Sequence, residues 1–240
     1  MENMIEVSSL TKSFGTKTVV DQLSFFVKQG ETFGLLGHNG AGKSTSIDCI
    51  LGLKKLDSGE VKVLGMDPKK NRKKLFEQVG VQLQASHYQQ NIRVSELCEE
   101  MSALYDNPQD YRQLLEQFKL SEFANHPVEK LSGGEKQKLS VLLTLIPNPN
   151  VLFLDELTTG LDTIARREVW KYLLNLKKQG TTILLTSHYM DEVELLCDRI
   201  LILENGKQIV AGTVVEVIKA SPYDNLEKAY LWYMGEEIIE

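Results

Sequence analysis

Nine consecutive residues, Gly37-His38-Asn39-Gly40-Ala41-Gly42-Lys43-Ser44-Thr45, have the types needed to hold a chain of phosphates. They fit the pattern G-x-x-x-x-G-K-[ST]. The glycines let the backbone curl until successive N–H groups converge on one anion. A helix starting there adds the positive end of its dipole. Lys43 reaches the β- and γ-phosphates, the Ser44 hydroxyl holds Mg²⁺, and Thr45 supplies a neighbouring hydroxyl. Every residue from Gly37 to Thr45 is therefore a candidate phosphate contact. The context is right for the motif: Glu31 to Leu36 reads as a short buried strand before it, and Ser46 to Leu51 reads as a helix after it.

Two further clusters carry chemistry. Val151-Leu152-Phe153-Leu154-Asp155-Glu156 is an apolar strand ending in two acids. A hidden strand has no packing use for carboxylates, whereas open α/β sheets bind ligands at that strand end. Asp155 is placed to hold Mg²⁺ through water, and Glu156 to polarise a water attacking the γ-phosphate. Leu131-Ser132-Gly133-Gly134-Glu135 offers a hydroxyl and two glycine amides where a helix begins. A plain cap accounts for the serine and one glycine. The pair reads instead as a second anion site, which raises the question of whose phosphate it holds.

The surrounding pattern supplies the elements that position these groups. Residues 4–33 alternate apolar and polar, as antiparallel strands do, and Gly59 to Gly65 adds another strand. From Ser95 to Ala124 the apolar residues fall at helical spacing, with Pro108 breaking the run. Val151–Leu154 and Thr182–Leu185 flank a charged helix at 164–179, a β-α-β unit with parallel strands. Glu204-Asn205-Gly206-Lys207 between two apolar runs signals a hairpin with a type I′ turn.

Composition narrows the class. The 240 residues carry a net charge of −6, which disfavours nucleic acid as a bulk partner. The locally basic stretch from Lys54 to Lys74 reads as a solvated loop and helix start. The three cysteines, Cys49, Cys98 and Cys197, are far apart and lack a C-x-x-C, so neither a disulfide framework nor a zinc site is expected. The acidic start lacks a signal-peptide core, and no apolar run reaches membrane-spanning length. A role at a membrane would need another chain to supply the span.

The loop at 37–45, Leu131-Ser132-Gly133-Gly134-Glu135, the strand ending Asp155-Glu156 and the later His188 occur in a familiar order. With them, the chain resembles the ATP-binding subunit of an ABC transporter over about residues 4 to 215. The resemblance implies an α/β fold: a P-loop NTPase core with a mixed, mostly parallel sheet, an N-terminal antiparallel β subdomain and an inserted α-helical subdomain. It implies one domain over 1–240, with a core at 1–84 and 146–215, helices at 85–145 and a helical tail at 216–240. It implies ATP and Mg²⁺, and hydrolysis driving transport through a separate membrane-spanning permease subunit at the cytoplasmic face of the cell membrane. In that family two cassettes dimerise head to tail, so Ser132, Gly133 and Gly134 of a second copy would complete the ATP site.

Other residues match the family pattern one by one. Phe14 matches the aromatic that stacks on adenine. Gln84 matches the glutamine that senses Mg²⁺ and couples to the permease, with Gln82 a competitor for that position by register. Asp162, in Thr159-Gly160-Leu161-Asp162, matches the loop at the dimer interface, and His188 matches the switch histidine at the γ-phosphate. Glu135 departs from the usual glutamine and would repel phosphate if turned inward. Leu157 departs from the usual proline, which would loosen that turn. The stretch from Ser221 to Glu240 is similar to the tails of drug, antibiotic and polysaccharide exporters. A soluble cassette acting on ribosomes or DNA is the alternative. A P-loop kinase would need neither Leu131-Ser132-Gly133-Gly134 nor His188.

Overall fold

The structure, a computed structural model of the chain, describes residues 2–82, 88–158 and 160–236. Two sheets organise it. The smaller has three antiparallel strands: β1 (Asn3–Phe14), β2 (Lys17–Lys28) and β4 (Ser58–Val63), in the order β2-β1-β4. The larger adds β3 (Thr32–Leu36), β5 (Val79–Gln82), β6 (Val151–Asp155), β7 (Thr182–Thr186), β8 (Arg199–Glu204) and β9 (Lys207–Thr213), in the order β5-β6-β7-β3-β8-β9. Its pairs are parallel except β8 with β9. β1 and β2 thus lie in an antiparallel sheet of their own, the N-terminal β subdomain that the resemblance implies.

The larger sheet is apolar on both faces, as parallel strands between two covering layers must be. Alternate residues serve different cores. Phe33 and Leu35 of β3, Val151 and Phe153 of β6, Leu184 of β7 and Leu201 of β8 pack with Ile5, Leu10, Val20 and Leu23 of the smaller sheet. Leu152 and Leu154, Ile183 and Leu185, and Ile200 and Ile202 face the helical side instead. Phe25 of β2 stacks on Phe33 at 5.0 Å between ring centroids, locking one sheet onto the other.

The helical side is built from α3 (Val94–Ser102), α4 (Tyr111–Gln117), α5 (Gly133–Leu145), α6 (Thr163–Lys178) and α7 (Met190–Leu196). α1 (Lys43–Ile50) follows the P-loop, and α2 (Arg72–Phe76) precedes β5. The chain closes with α8 (Val214–Lys219) and α9 (Leu226–Tyr233). No helix among the described residues is long and apolar enough to cross a membrane. The Asn205-Gly206 hairpin forms, with φ of 49° and 80° at its two central residues. Its tip buttresses the P-loop: Gly206 N donates to Ala41 O at 3.0 Å.

Register brings the chemistry to one level. Thr186 at the end of β7 pairs with Leu35 of β3 on one side and with Asp155 of β6 on the other. The P-loop strand and the acid-bearing strand therefore end together, one strand apart, at the carboxyl edge where such sheets bind ligands.

Candidate active site

The P-loop is held from below by backbone. Gly37 lies so close to β8 that a Cβ there would stand 2.3 Å from Leu203 O. Gly42, the N-cap of α1 with φ 109°, would put a Cβ 2.6 Å from Val19 O. Both positions exclude a side chain. Lys43 is buried, and its Nζ donates to Gly37 O at 2.8 Å and His38 O at 3.2 Å. Burial pushes the Lys43 ammonium below its ordinary value, against the pull of Glu156 and Asp155. Lys43 is thus a cation in a desolvated place, held by the loop's own carbonyls and drawn by the charges of Glu156 and Asp155, where a charge acts at low dielectric.

A cavity of about 340 Å³ opens over the loop, lined by Val19, Asn39, Gly40, Gly42, Lys43, Ser44, Thr45 and Glu156. Glu156 joins it from the turn that follows β6. Its backbone is left-handed, φ 51°, and its N–H is held by Thr186 Oγ1 at 3.0 Å and Thr186 O at 3.2 Å. His188 Nδ1 lies 3.9 Å from Glu156 Oε1, and its ring leans on Tyr189. Asp155 is nearly fully buried, and its Oδ1 accepts from Thr186 Oγ1 at 2.5 Å.

The donor set suits Mg²⁺ better than a metal caged by protein. No group of three or more His, Cys, Asp or Glu that could hold a metal occurs among the described residues. Mg²⁺ is ordinarily bound by one or two carboxylates, with water and substrate phosphates completing the octahedron. One buried carboxylate, Asp155, and the Ser44 hydroxyl fit that requirement.

The remaining sequence-expected residues fall elsewhere. Gly37, His38 and Ala41 shape the loop without lining the cavity; His38 Nδ1 lies 2.8 Å from Asn39 O. Phe14 is half exposed at the end of β1, with Lys12 and Lys54 at 5.1 and 5.7 Å from its ring centroid. Ser132, Gly133 and Gly134 do not line the cavity. Asp162 caps α6, accepting from Ile164 N at 2.8 Å and Ala165 N at 2.9 Å. Gln84 and Thr159 lie outside the described residues. Gln82 ends β5 buried, with its Oε1 lacking a hydrogen-bond partner among them.

The family model described as "ABC transporter" matches residues 20–159. The chain belongs to the ABC transporter family. It is 37% identical over 240 residues to the "Probable multidrug ABC transporter ATP-binding protein YbhF" of Escherichia coli (strain K12), with 96% of this chain and 41% of that protein covered. It is 39% identical over 220 residues to "Nod factor export ATP-binding protein I" of Ralstonia nicotianae, covering 90% of this chain and 68% of that protein. The chain thus spans about two-fifths of the first relative's length and two-thirds of the second's. Among solved structures, an "ATP binding subunit of ABC transporter" superposes with a TM-score of 0.89 at 25% identity, covering 96% and 99% of the two chains. A cassette in its ADP conformation superposes with a TM-score of 0.81 at 25% identity, covering 98% and 100%.

Within this ABC cassette, two local expectations change. Ser132 is a helix cap as well as a candidate anion ligand: its Oγ accepts from Glu135 N at 3.3 Å, and Glu135 Oε2 accepts from Ser132 N at 2.7 Å. This capping box turns the Glu135 carboxylate back onto its own helix. The Ser132 hydroxyl acts there as acceptor and keeps its proton for donation. The turn after Glu156 is not loosened by Leu157, which is buried and whose carbonyl accepts from Gln137 Nε2 of α5. Thr186 went unread at sequence level, although its position matches that of Asp155: a polar residue ending an apolar strand.

Proposed function

We propose that this cassette binds and hydrolyses ATP at a head-to-tail dimer interface and drives export through a separate membrane-spanning permease subunit, at the cytoplasmic face of the membrane. One observation carries the reading: Glu156 lines the P-loop cavity beside Lys43 and Ser44, with His188 at 3.9 Å from its carboxylate. The printed names of the relatives, multidrug and Nod factor export proteins, support export. In this reading 85–145 is a helical insertion carrying the signature loop, and 216–240 is a tail.

In the proposed mechanism the P-loop amides and Lys43 hold the β- and γ-phosphates, and Phe14 stacks on the adenine. Ser44 and Asp155 would hold Mg²⁺, with Gln84 as its sensor; the bound ion would supply positive charge to offset that of the phosphates. Glu156 accepts a hydrogen bond from the attacking water and polarises it. His188 donates to the γ-phosphate. Ser132, Gly133 and Gly134 come from the second copy, with Asp162 at the same interface. Supporting this, a Cβ at Gly133 would meet nothing within 4 Å and one at Gly134 only Leu161 Cδ2 at 3.8 Å. Nothing described in this chain therefore demands glycine at either place, whereas the close approach of another body would.

Glu156→Gln tests the reading. The variant is expected to bind ATP with parental affinity, lose turnover, and shift from monomer to dimer on adding ATP in light scattering. Parental turnover in Glu156→Gln, or a monomer at saturating ATP, would overturn it.

A further inference from the structure

His188 has a task in the scheme above but little to hold it. Its side chain is 42% exposed, and its Nδ1 lies 3.9 Å from Glu156 Oε1, too far for a hydrogen bond. The carboxylate therefore does not set the direction of the imidazole. A donor must point at its acceptor to act, so another contact has to fix the ring. The next residue supplies one. The Tyr189 ring packs on the imidazole at 4.5 Å between centroids, with 38° between the planes.

Tyr189 is itself held in both backbone and ring. Its N–H donates to Ser187 Oγ at 3.0 Å, and its carbonyl accepts from Val193 N at 3.2 Å at the start of α7. Its ring is covered by Arg166 of α6, whose guanidinium carbon lies 4.0 Å from the ring centroid. Arg166 sits in the first turn of α6, where its N–H donates to Asp162 O at 2.9 Å and the Asp162 side chain caps the helix. Its Nε is buried with no hydrogen-bond partner among the described residues, and its Nη1 is 3.9 Å from Asp191 Oδ2. A guanidinium that has lost water along one edge gains most from an aromatic face, and arginine stacks on such a face as lysine does not. Arg166 on α6, Tyr189 at the head of α7 and the His188 imidazole thus form one continuous set of contacts.

We propose that Tyr189 is the positioning residue of His188, and that Arg166 holds the Tyr189 ring in place. Neither residue lines the P-loop cavity. The ring carries the effect, and the tyrosine hydroxyl has no part in it. This inference rests on the role proposed for His188. A displacement of about 1 Å at reacting groups costs up to about 100-fold in rate, which sets the scale of the effect.

The test is steady-state ATPase kinetics on the full chain, with ATP affinity and melting temperature measured for each variant. Tyr189→Ala removes the ring and is expected to lower kcat about 10–100-fold while ATP affinity stays within about 2-fold. Tyr189→Phe keeps the ring and is expected to restore kcat to within about 2-fold of the parent. Arg166→Met keeps a long side chain, removes the cation and is expected to lose about 3–10-fold in kcat. In the Tyr189→Ala background the same Arg166→Met change is expected to cost less than about 2-fold, because the ring it acts through is gone. Additive losses in the double variant would overturn the proposal. So would parental kcat in Arg166→Met or in a folded Tyr189→Ala, Tyr189→Phe as damaged as Tyr189→Ala, or a loss of ATP affinity matching the loss of kcat. If Tyr189→Ala does not fold, Arg166→Met decides. His188→Ala runs alongside: parental turnover there fails the reading of the site, whereas an impaired His188→Ala beside a parental Tyr189→Ala fails this inference alone.

Discussion

Thr186→Val isolates one hydroxyl on which both site acids depend. Thr186 is fully buried; its Oγ1 donates to Asp155 Oδ1 at 2.5 Å and accepts from Glu156 N at 3.0 Å. Valine has the same shape, so no cavity opens and the change reads out as hydrogen bonding alone. The bond to Asp155 is to a charged group, worth about 1.5–3 kcal/mol net. Asp155 is only 3% exposed and has little access to replacement water, which places the cost at the upper end, about 2–3 kcal/mol. The Glu156 N–H keeps its second acceptor, Thr186 O at 3.2 Å, and adds little. At about 2–4 °C per kcal/mol for a chain of this size, the melting temperature should fall by roughly 4–12 °C. The freed Asp155 should also lower kcat and raise the Mg²⁺ concentration needed for half-maximal ATPase, by about 10-fold or more. Thr186→Ser keeps the hydroxyl and should retain the Mg²⁺ dependence. Differential scanning calorimetry and an Mg²⁺ titration of ATPase rate measure both effects. A Thr186→Val protein melting within about 1 °C of the parent, with parental Mg²⁺ dependence, would refute the reasoning.

Two further outcomes follow from local geometry. The three cysteines are buried and reduced, and burial raises each thiol: Cys49 to about 11, Cys98 to about 12, and Cys197 further still. The reactive species is the thiolate. At pH 8 Cys49 should therefore be ionised about a thousandth of the time, and reactivity should rise only as pH climbs toward its raised value. Iodoacetamide should leave the native chain unlabelled and modify three cysteines in urea, as read by intact mass; native labelling at pH 8 would contradict the burial. Gly37→Ala must force a Cβ against Leu203 O at 2.3 Å, whereas Gly40→Ala, φ 85°, meets nothing within 4 Å. Gly37→Ala should thus cost more melting temperature than Gly40→Ala, and the reverse order would show that β8 yields.

What could be read from the sequence is what short-range pattern encodes. The strand at 32–36, the loop at 37–45 and the helix from Lys43 follow one another along the chain, so glycine spacing and apolar runs suffice to find them. The same holds for the Asn205-Gly206 hairpin and for the helices on either side of Pro108. The placement of β1 and β2 in a separate sheet was legible only through the family resemblance, not from the alternation itself. Alternation shows which face of a strand is buried, but not which sheet buries it. The Ser132–Glu135 capping box was legible in principle, since S-x-x-E is its signature. There one hydroxyl serves two purposes that a motif reading treats as rivals. Thr186 shows the deeper limit. It matters because β7 lies between β3 and β6 and its last residue pairs with Leu35 on one side and Asp155 on the other. Parallel neighbours are not chain neighbours, and about 150 residues separate β3 from β7. Before the strand order β6-β7-β3 is known, Thr186 is only the residue before Ser187-His188. Once it is known, the position requires a small group that donates to a buried carboxylate while accepting an N–H from the next residue. Threonine meets both demands, and its β-branch suits the strand that carries it.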